Sequence, residues 1–179
     1  MDIAQLVAEH HQALYRYAYR LTGTVADAED LTQQAFLMAS GKLGQLRDDG
    51  SAKSWLFAIL RNYFLRQART ERPTPVTDLQ LDIGSIPAAG YESEIDQERL
   101  QRVLDELPER YRVVLLMFYF EDLGYREMAE AINVPAGTIM SRLARAKSAL
   151  RTRLLDAERA EESGRRQDAP KATSRVESS

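Results

Sequence analysis

Apolar residues recur at helical spacing along most of the chain, and the breaks between these runs mark out the elements. Ile3 to Leu21 reads as a first helix, with Leu6, Val7, His10, Leu14, Tyr17, Ala18 and Leu21 on one broad face and Gly23 as its stop. A second starts at Thr24 to Asp27, a pair resembling a capping box, and runs to about Ser40. Leu31, Ala35, Phe36, Met38 and Ala39 are its apolar contacts. Gly41 to Ser51 reads as a loop. Ser54 to Arg69 reads as a third helix, apolar on most sides as far as Phe57 and therefore buried against the first two. Prolines and glycines then punctuate Glu71 to Ile95, which reads as a flexible linker. Asp96 to Leu107 turns Leu100, Val103, Leu104 and Leu107 inward, and Pro108 opens a further helix carrying V-V-L-L-M-F-Y-F.

The sharpest pattern lies between Leu123 and Leu150. A short helix from Tyr125 to about Ile132 ends at Asn133-Val134-Pro135, since proline fixes its own backbone and pushes the preceding residue out of helix. Thr138 is the expected start of the next helix. Ile139, Leu143, Ala146, Leu150 and Leu154 fall within about 90° of one another on it. Ser141, Ala144, Arg145 and Ser148 face the other way, with Thr138 and Arg142 on one flank and Met140, Lys147 and Arg151 on the other. This is a helix-turn-helix pattern whose second helix suits a DNA major groove: small residues allow close approach, hydroxyls reach phosphates, and arginine reads guanine or grips phosphate. On spacing alone, a surface hairpin with a solvated basic face fits equally well.

Charge changes the picture through its distribution. The net charge is −3, with no global basic signal. Residues 1–72 and 96–155 each carry +1, residues 73–95 carry −4, and residues 156–179 carry −1. Ala136 to Leu155 holds no acid and a local charge of +5. Two near-neutral helical blocks are thus separated by an acidic linker, and each concentrates its cations on one helix. The chain has no cysteine, which excludes disulfides and thiolate metal sites and fits a cytoplasmic protein. No apolar run is long enough to span a bilayer, so no membrane insertion is expected, and the N-terminus lacks the pattern of a signal peptide.

Candidate chemistry is sparse. His10 and His11 are the only histidines and point about 100° apart on a helix, a poor metal pair. Asp27 and Asp30 share a face, but with no third ligand in view they read first as a solvated face near a helix N-terminus. No metal, cofactor or catalytic residue is assigned. The third helix turns basic at Arg61, Arg66 and Arg69, interleaved with Trp55, Phe57, Tyr63 and Phe64. Such aromatics can stack unpaired bases, although Trp55 and Phe64 fit a core better, and Asn62 is the better exterior residue.

Three blocks in order carry a resemblance: D-A-E-D-L-T-Q-Q-A-F at Asp27 to Phe36, S-W-L-F-A-I-L-R-N at Ser54 to Asn62, and L-P-E-R-Y-R-V-V-L-L at Leu107 to Leu116. The last is followed by Y-R-E-M-A-E and G-T-I-M-S-R-L-A-R-A. Together they resemble bacterial RNA polymerase sigma factors of the extracytoplasmic-function group. The resemblance implies an all-α fold of two small helical domains, domain two over 1–72 and domain four with the helix-turn-helix over 96–156; composition reads 73–95 as the flexible linker that joins them and 157–179 as a disordered tail, in which Ala157 to Ala160 could extend the last helix. The resemblance further implies that Asp27, Asp30, Gln33 and Gln34 dock on core RNA polymerase. The loop Leu43 to Lys53 would capture a base flipped from the non-template strand. Arg61, Asn62 and Arg66 would lie near the minus-ten DNA, and Thr138, Ser141, Arg142 and Arg145 would contact the minus thirty-five element. It also implies promoter DNA as a partner, an anti-sigma protein as regulator, and a protein that is not an enzyme and is monomeric when free.

The chain departs from the family pattern at three places. Gln34 stands where glutamate is common, Thr32 where an apolar residue is common, which would admit tuning by modification, and Met140 where a basic DNA contact is common. Two other readings stay open at this point: a sigma mimic that binds only an anti-sigma protein, and a polymerase-independent helix-turn-helix regulator. The first sits badly with the retained arginines, the second with the D-A-E-D block.

Overall fold

The computed structural model describes residues 2–46, 48–71 and 97–167, and their regular structure is helical throughout. Seven α-helices run α1 (Ile3–Thr22), α2 (Val25–Ser40), α3 (Ala52–Glu71), α4 (Gln97–Asp105), α5 (Glu109–Phe120), α6 (Tyr125–Ile132) and α7 (Ala136–Gln167). Short 3-10 turns at Leu43–Gln45 and Asp49–Ser51 occupy the loop before α3. The linker expected over 73–95 lies outside the described residues.

Local chemistry sets the helix ends. Asp2 and Gln5 exchange hydrogen bonds at 2.8 and 2.9 Å, a full capping box for α1. Gly23 ends α1 at φ +83, and a Cβ built there would lie 2.9 Å from the Asp105 Cγ, so glycine is required by both backbone and space. At α2 the Asp27 amide donates to the Thr24 hydroxyl oxygen at 3.1 Å. The expected reciprocal bond takes another form, the Thr24 hydroxyl donating to the Asp27 carboxylate at 2.7 Å.

In the first half, α1 packs on α2 and α3 through Leu6, Leu14, Leu21, Leu31, Leu56 and Leu60, with Ala18, Ala28, Ala35 and Ala39 admitting close approach. In the second half, α7 packs on α4, α5 and α6 through Ile139, Leu143 and Ala146. Lys147 lies 3.9 Å over the Phe118 ring and Arg153 pairs with Glu106 at 3.3 Å.

The two halves share one continuous hydrophobic core, with α1 packed on α4 and α5. Tyr17 of α1 lies 5.0 Å from Phe57 of α3 and 5.3 Å from Phe120 of α5, centroid to centroid. The Tyr17 hydroxyl donates to Glu121 at 2.6 Å, and Arg61 of α3 makes a buried ion pair with the other oxygen of that carboxylate. Arg20 donates to the Gln97 carbonyl at 3.2 Å and to the Gln101 side chain at 2.9 Å. The sequence suggested two domains and gave no sign of this union.

Two expectations are corrected. Residues 157–167 are helical, because Ala157 to Ala160 are good helix formers and α7 simply continues, with Arg159 and Asp156 paired at 3.4 Å; the remainder of the expected tail lies outside the described residues. The last helix begins at Ala136 rather than at a Thr138 cap, because the Pro135 carbonyl accepts from the amides of Thr138 and Ile139 at 2.9 and 3.2 Å.

Burial, the nearby Glu121 charge and the bond to it hold the Tyr17 phenol well above its ordinary value of 10.0. A phenol that ionises later in the folded than in the unfolded chain stabilises the fold below pH 10 and loses that contribution as pH climbs beyond it. Stability to denaturant should therefore fall above about pH 10, and more weakly in Tyr17→Phe. At neutral pH that variant should lose about 2 kcal/mol, the scale of a hydrogen bond to a charged group. An unchanged unfolding midpoint would show the Tyr17 to Glu121 bond to be unimportant.

Candidate functional site

Candidate residues lie on three helices. On α2, Asp27, Asp30, Gln33 and Gln34 are all exposed and form one polar face. Asp27 is the third residue of the helix, where the macrodipole favours a carboxylate. Leu37 continues the same face one turn further and is 65% exposed. Sequence reasoning missed it; its position seven residues after Asp30, on the polar side of an otherwise buried apolar set, was the available signal. Thr32 points the other way. It is 1% exposed and its hydroxyl donates to the Ala28 carbonyl at 2.7 Å, so it behaves as a core residue and offers no accessible oxygen for modification.

On α3, Asn62 and Arg66 are exposed one turn apart. Arg61, expected beside DNA, lies inside the protein at 3% exposure on Glu121. In this arrangement it reaches neither solvent nor a ligand. Trp55, Tyr63 and Phe64 are half-buried against the core, in keeping with packing for Trp55 and Phe64, and Tyr63 accepts from Gln67 at 2.9 Å.

A cleft of about 770 Å³ runs between the halves. Asp27, Asp30 and Gln34 line it beside Tyr63, Phe64 and Gln67 of α3, and Glu109 and Arg112 of α5 complete it. Burial lowers the Arg112 guanidinium below its ordinary range, opposed by Asp105 and Glu109. Asp105 holds Arg112 at 3.3 Å. Gln33 is exposed on the same helix face but is not among the residues that line the cleft.

The helix-turn-helix is formed by α6 and α7. The Gly124 amide donates to Glu127 at 2.7 Å to start α6. Asn133 ends it in the left-handed region at φ +54, and the Val134 amide returns to the Ala129 carbonyl at 3.0 Å. Thr138, Ser141, Arg142 and Arg145 are half-buried on α7, and the Ser141 hydroxyl donates to the Thr138 carbonyl at 3.0 Å. The exposed positions of its first three turns are Gly137, Met140 and Ala144. The outer surface is therefore small and uncharged at its crest, with hydroxyls and cations on its slopes, and Met140 stands higher than its expected place on a flank.

No cluster of three or more histidine or acidic residues suited to a metal occurs among the described residues, and none of their helices is long and apolar enough to cross a membrane.

Comparison with known proteins gives two family matches in order. Residues 6–74 match the model of sigma-70 region 2, and residues 97–150 match that of sigma-70, region 4. The chain is 33% identical over 154 residues to the ECF RNA polymerase sigma factor SigE of Mycolicibacterium smegmatis, covering 82% of this chain and 59% of that protein, so it spans less than two thirds of that relative. It is 32% identical over 147 residues to the ECF RNA polymerase sigma factor SigM of Mycobacterium tuberculosis H37Rv, covering 82% of this chain and 74% of that one. Among solved structures, the sigma factor RpoE in complex with the anti-sigma factor NepR from Bartonella quintana matches with a TM-score of 0.62 at 27% identity, covering 84% of this chain and 95% of that one.

The turn between α6 and α7 rests on Asn133. Asn133→Ala should cost about 1 kcal/mol, the scale of the left-handed penalty, and Asn133→Gly should cost little. Equal melting temperatures for Asn133→Ala and the parent would show that the left-handed cap does not hold this turn.

Proposed function

The chain belongs to the extracytoplasmic-function group of bacterial RNA polymerase sigma factors, and from that premise we propose how its parts serve transcription initiation. Sigma factors are initiation factors rather than enzymes; the polymerase performs the chemistry. This one binds core polymerase and directs it to particular promoters, with residues 1–72 acting as domain two and residues 96–156 as domain four. The observation that carries the reading is the presence, in one chain and in order, of an exposed acid-amide face on α2 and a cationic helix-turn-helix.

Asp27, Asp30, Gln33 and Gln34 dock on the polymerase, with Leu37 adding an apolar contact at the end of the same face. Asn62 and Arg66 approach the minus-ten DNA from α3. The loop Leu43 to Lys53 takes up a flipped base, at a cost of a few kcal/mol that weakly paired DNA keeps low. Thr138, Ser141, Arg142 and Arg145 contact the minus thirty-five element from the slopes of α7. Met140 at the crest favours a thymine methyl over guanine, since it offers apolar contact and no hydrogen-bond donor. No cofactor is required. The protein works in the cytoplasm, is monomeric alone, and is held inactive by an anti-sigma protein, a control supported by the likeness to a sigma factor solved with its anti-sigma partner.

Promoter-dependent transcription with purified core polymerase and a library of templates tests the whole reading; initiation that does not require the protein would overturn it. Two substitutions divide the labour. Arg145→Ala should weaken binding to minus thirty-five DNA by about 1–3 kcal/mol with polymerase affinity unchanged. Asp30→Lys should weaken polymerase binding and leave DNA contacts of the second half intact. If either variant loses both activities together, the assignment of these faces is wrong.

A further inference from the structure

We propose that Met140 is a site of reversible oxidation, and that its sulfoxide changes which base α7 accepts; this rests on the reading of α7 as the minus thirty-five contact.

Accessibility singles out this thioether. The chain has no cysteine, so thioethers are its readiest targets for two-electron oxidants such as hydrogen peroxide. Four methionines fall among the described residues. Met117 and Met128 are 0% exposed, and Met38 is partly buried against the core. Met140 is 54% exposed. The surface one turn before it is open as well, since a Cβ built on Gly137 would meet no neighbour within 4 Å.

The chemistry balances without help from the protein. A sulfur lone pair attacks one oxygen of the peroxide, the O–O bond breaks and an S–O bond forms. The departing hydroxide takes the proton from the transferred oxygen and leaves as water. Sulfur loses two electrons and the peroxide gains them. A thiol-dependent sulfoxide reductase reverses the change: two thiols become a disulfide and the oxygen departs as water.

Position gives the oxidation its consequence. Side chains three or four residues away are the ones a helical residue can meet, and here these are Ala136, Gly137, Leu143 and Ala144. None is polar, so the new oxygen finds no partner among them. Met140 stands with Gly137 and Ala144 at the exposed crest of α7. A thioether there offers apolar contact to a thymine methyl and is only a weak acceptor. A sulfoxide puts a polar acceptor in the same place. Opposite thymine that oxygen meets the O4 acceptor, and opposite guanine it meets N7 and O6; both pairings are repulsive. Adenine N6 and cytosine N4 are donors and become the favoured partners. Arg142 and Arg145 keep their charge, so the grip on phosphate persists. Oxidation therefore exchanges one set of promoters for another, without switching binding off.

The test treats the full chain briefly with hydrogen peroxide, removes the oxidant and then adds core polymerase. Peptide mass spectrometry should find the added oxygen on Met140 before Met38, Met117 or Met128. The assembled polymerase next selects templates randomised across the minus thirty-five element. Untreated protein should prefer thymine at one position. Treated protein should lose that preference by roughly fivefold in favour of adenine or cytosine, the lower end for one mismatched base pair. Met140→Gln should show the shifted preference without oxidant. Met140→Leu should show the same base preference before and after treatment, and sulfoxide reductase should restore the parent. Oxidation of the buried methionines ahead of Met140, an unchanged preference once Met140 is oxidised, or a shift that persists in Met140→Leu would overturn the proposal and leave the minus thirty-five reading intact. Failure of the untreated assembly to select any minus thirty-five sequence would overturn that reading, and the proposal with it.

Discussion

A guanidinium and a carboxylate from opposite halves of the chain are buried together, and the meeting of α1, α3 and α5 has to satisfy them. Glu121 caps the C-terminal end of α5, where the last carbonyls already present partial negative charge. A carboxylate buried there is unfavourable unless a cation answers it, and Arg61 does so from α3. Removing one member of such a pair costs about 3–5 kcal/mol in the buried state, although the pair as a whole adds little. The asymmetry matters: the cluster fixes which surfaces meet and in what register, without making the union strong. Tyr17 adds the third element, donating from α1 while its ring packs on Phe57 and Phe120.

That division between specificity and strength follows from the composition of the contact. Each half owns a conventional core: leucines and alanines on α1 to α3, and Ile139, Leu143 and Ala146 against α5 and α6. Between the halves the hydrophobic core is continuous where α1 packs on α4 and α5, and the ring pairs of Tyr17, Phe57 and Phe120 add about 0.5–1.5 kcal/mol each beyond their area.

Much of the fold was legible because it depends on neighbours in the sequence. Period 3.6 placed the helices among the described residues within a few residues, save the far end of α7, Gly23 and Pro135 marked two breaks, and Thr24 announced α2. Side chains whose role depends on a distant partner were not legible. Arg61 follows an apolar run and precedes Asn62, so its sequence context fits a DNA contact; its burial is decided by Glu121, sixty residues away. Thr32 looked like a departure from an apolar position, yet a bond to its own helix satisfies the hydroxyl and makes it one. The start of α7 was misread because a backbone carbonyl, Pro135, does the work expected of the Thr138 side chain. Leu37 escaped notice because an exposed leucine is ordinary and acquires meaning only beside Asp30 and Gln34.

The electrostatics of α7 bear on why such a chain would need two contact regions. Its local charge of +5 overstates its grip on DNA. Lys147 is committed to the Phe118 ring and Arg153 to Glu106. Even with Arg142, Arg145 and Arg151 all on phosphates, the binding constant would fall with salt with a logarithmic slope of about −3, the signature of a weak electrostatic contact. Long stems lying along the helix slopes let those arginines reach the backbone while the uncharged crest of Gly137, Met140 and Ala144 comes close to the bases. On the proposed reading, affinity for a promoter must then come from joining this contact to that of α3 through a shared polymerase. Tethered sites gain from their effective concentration only when both can be reached together.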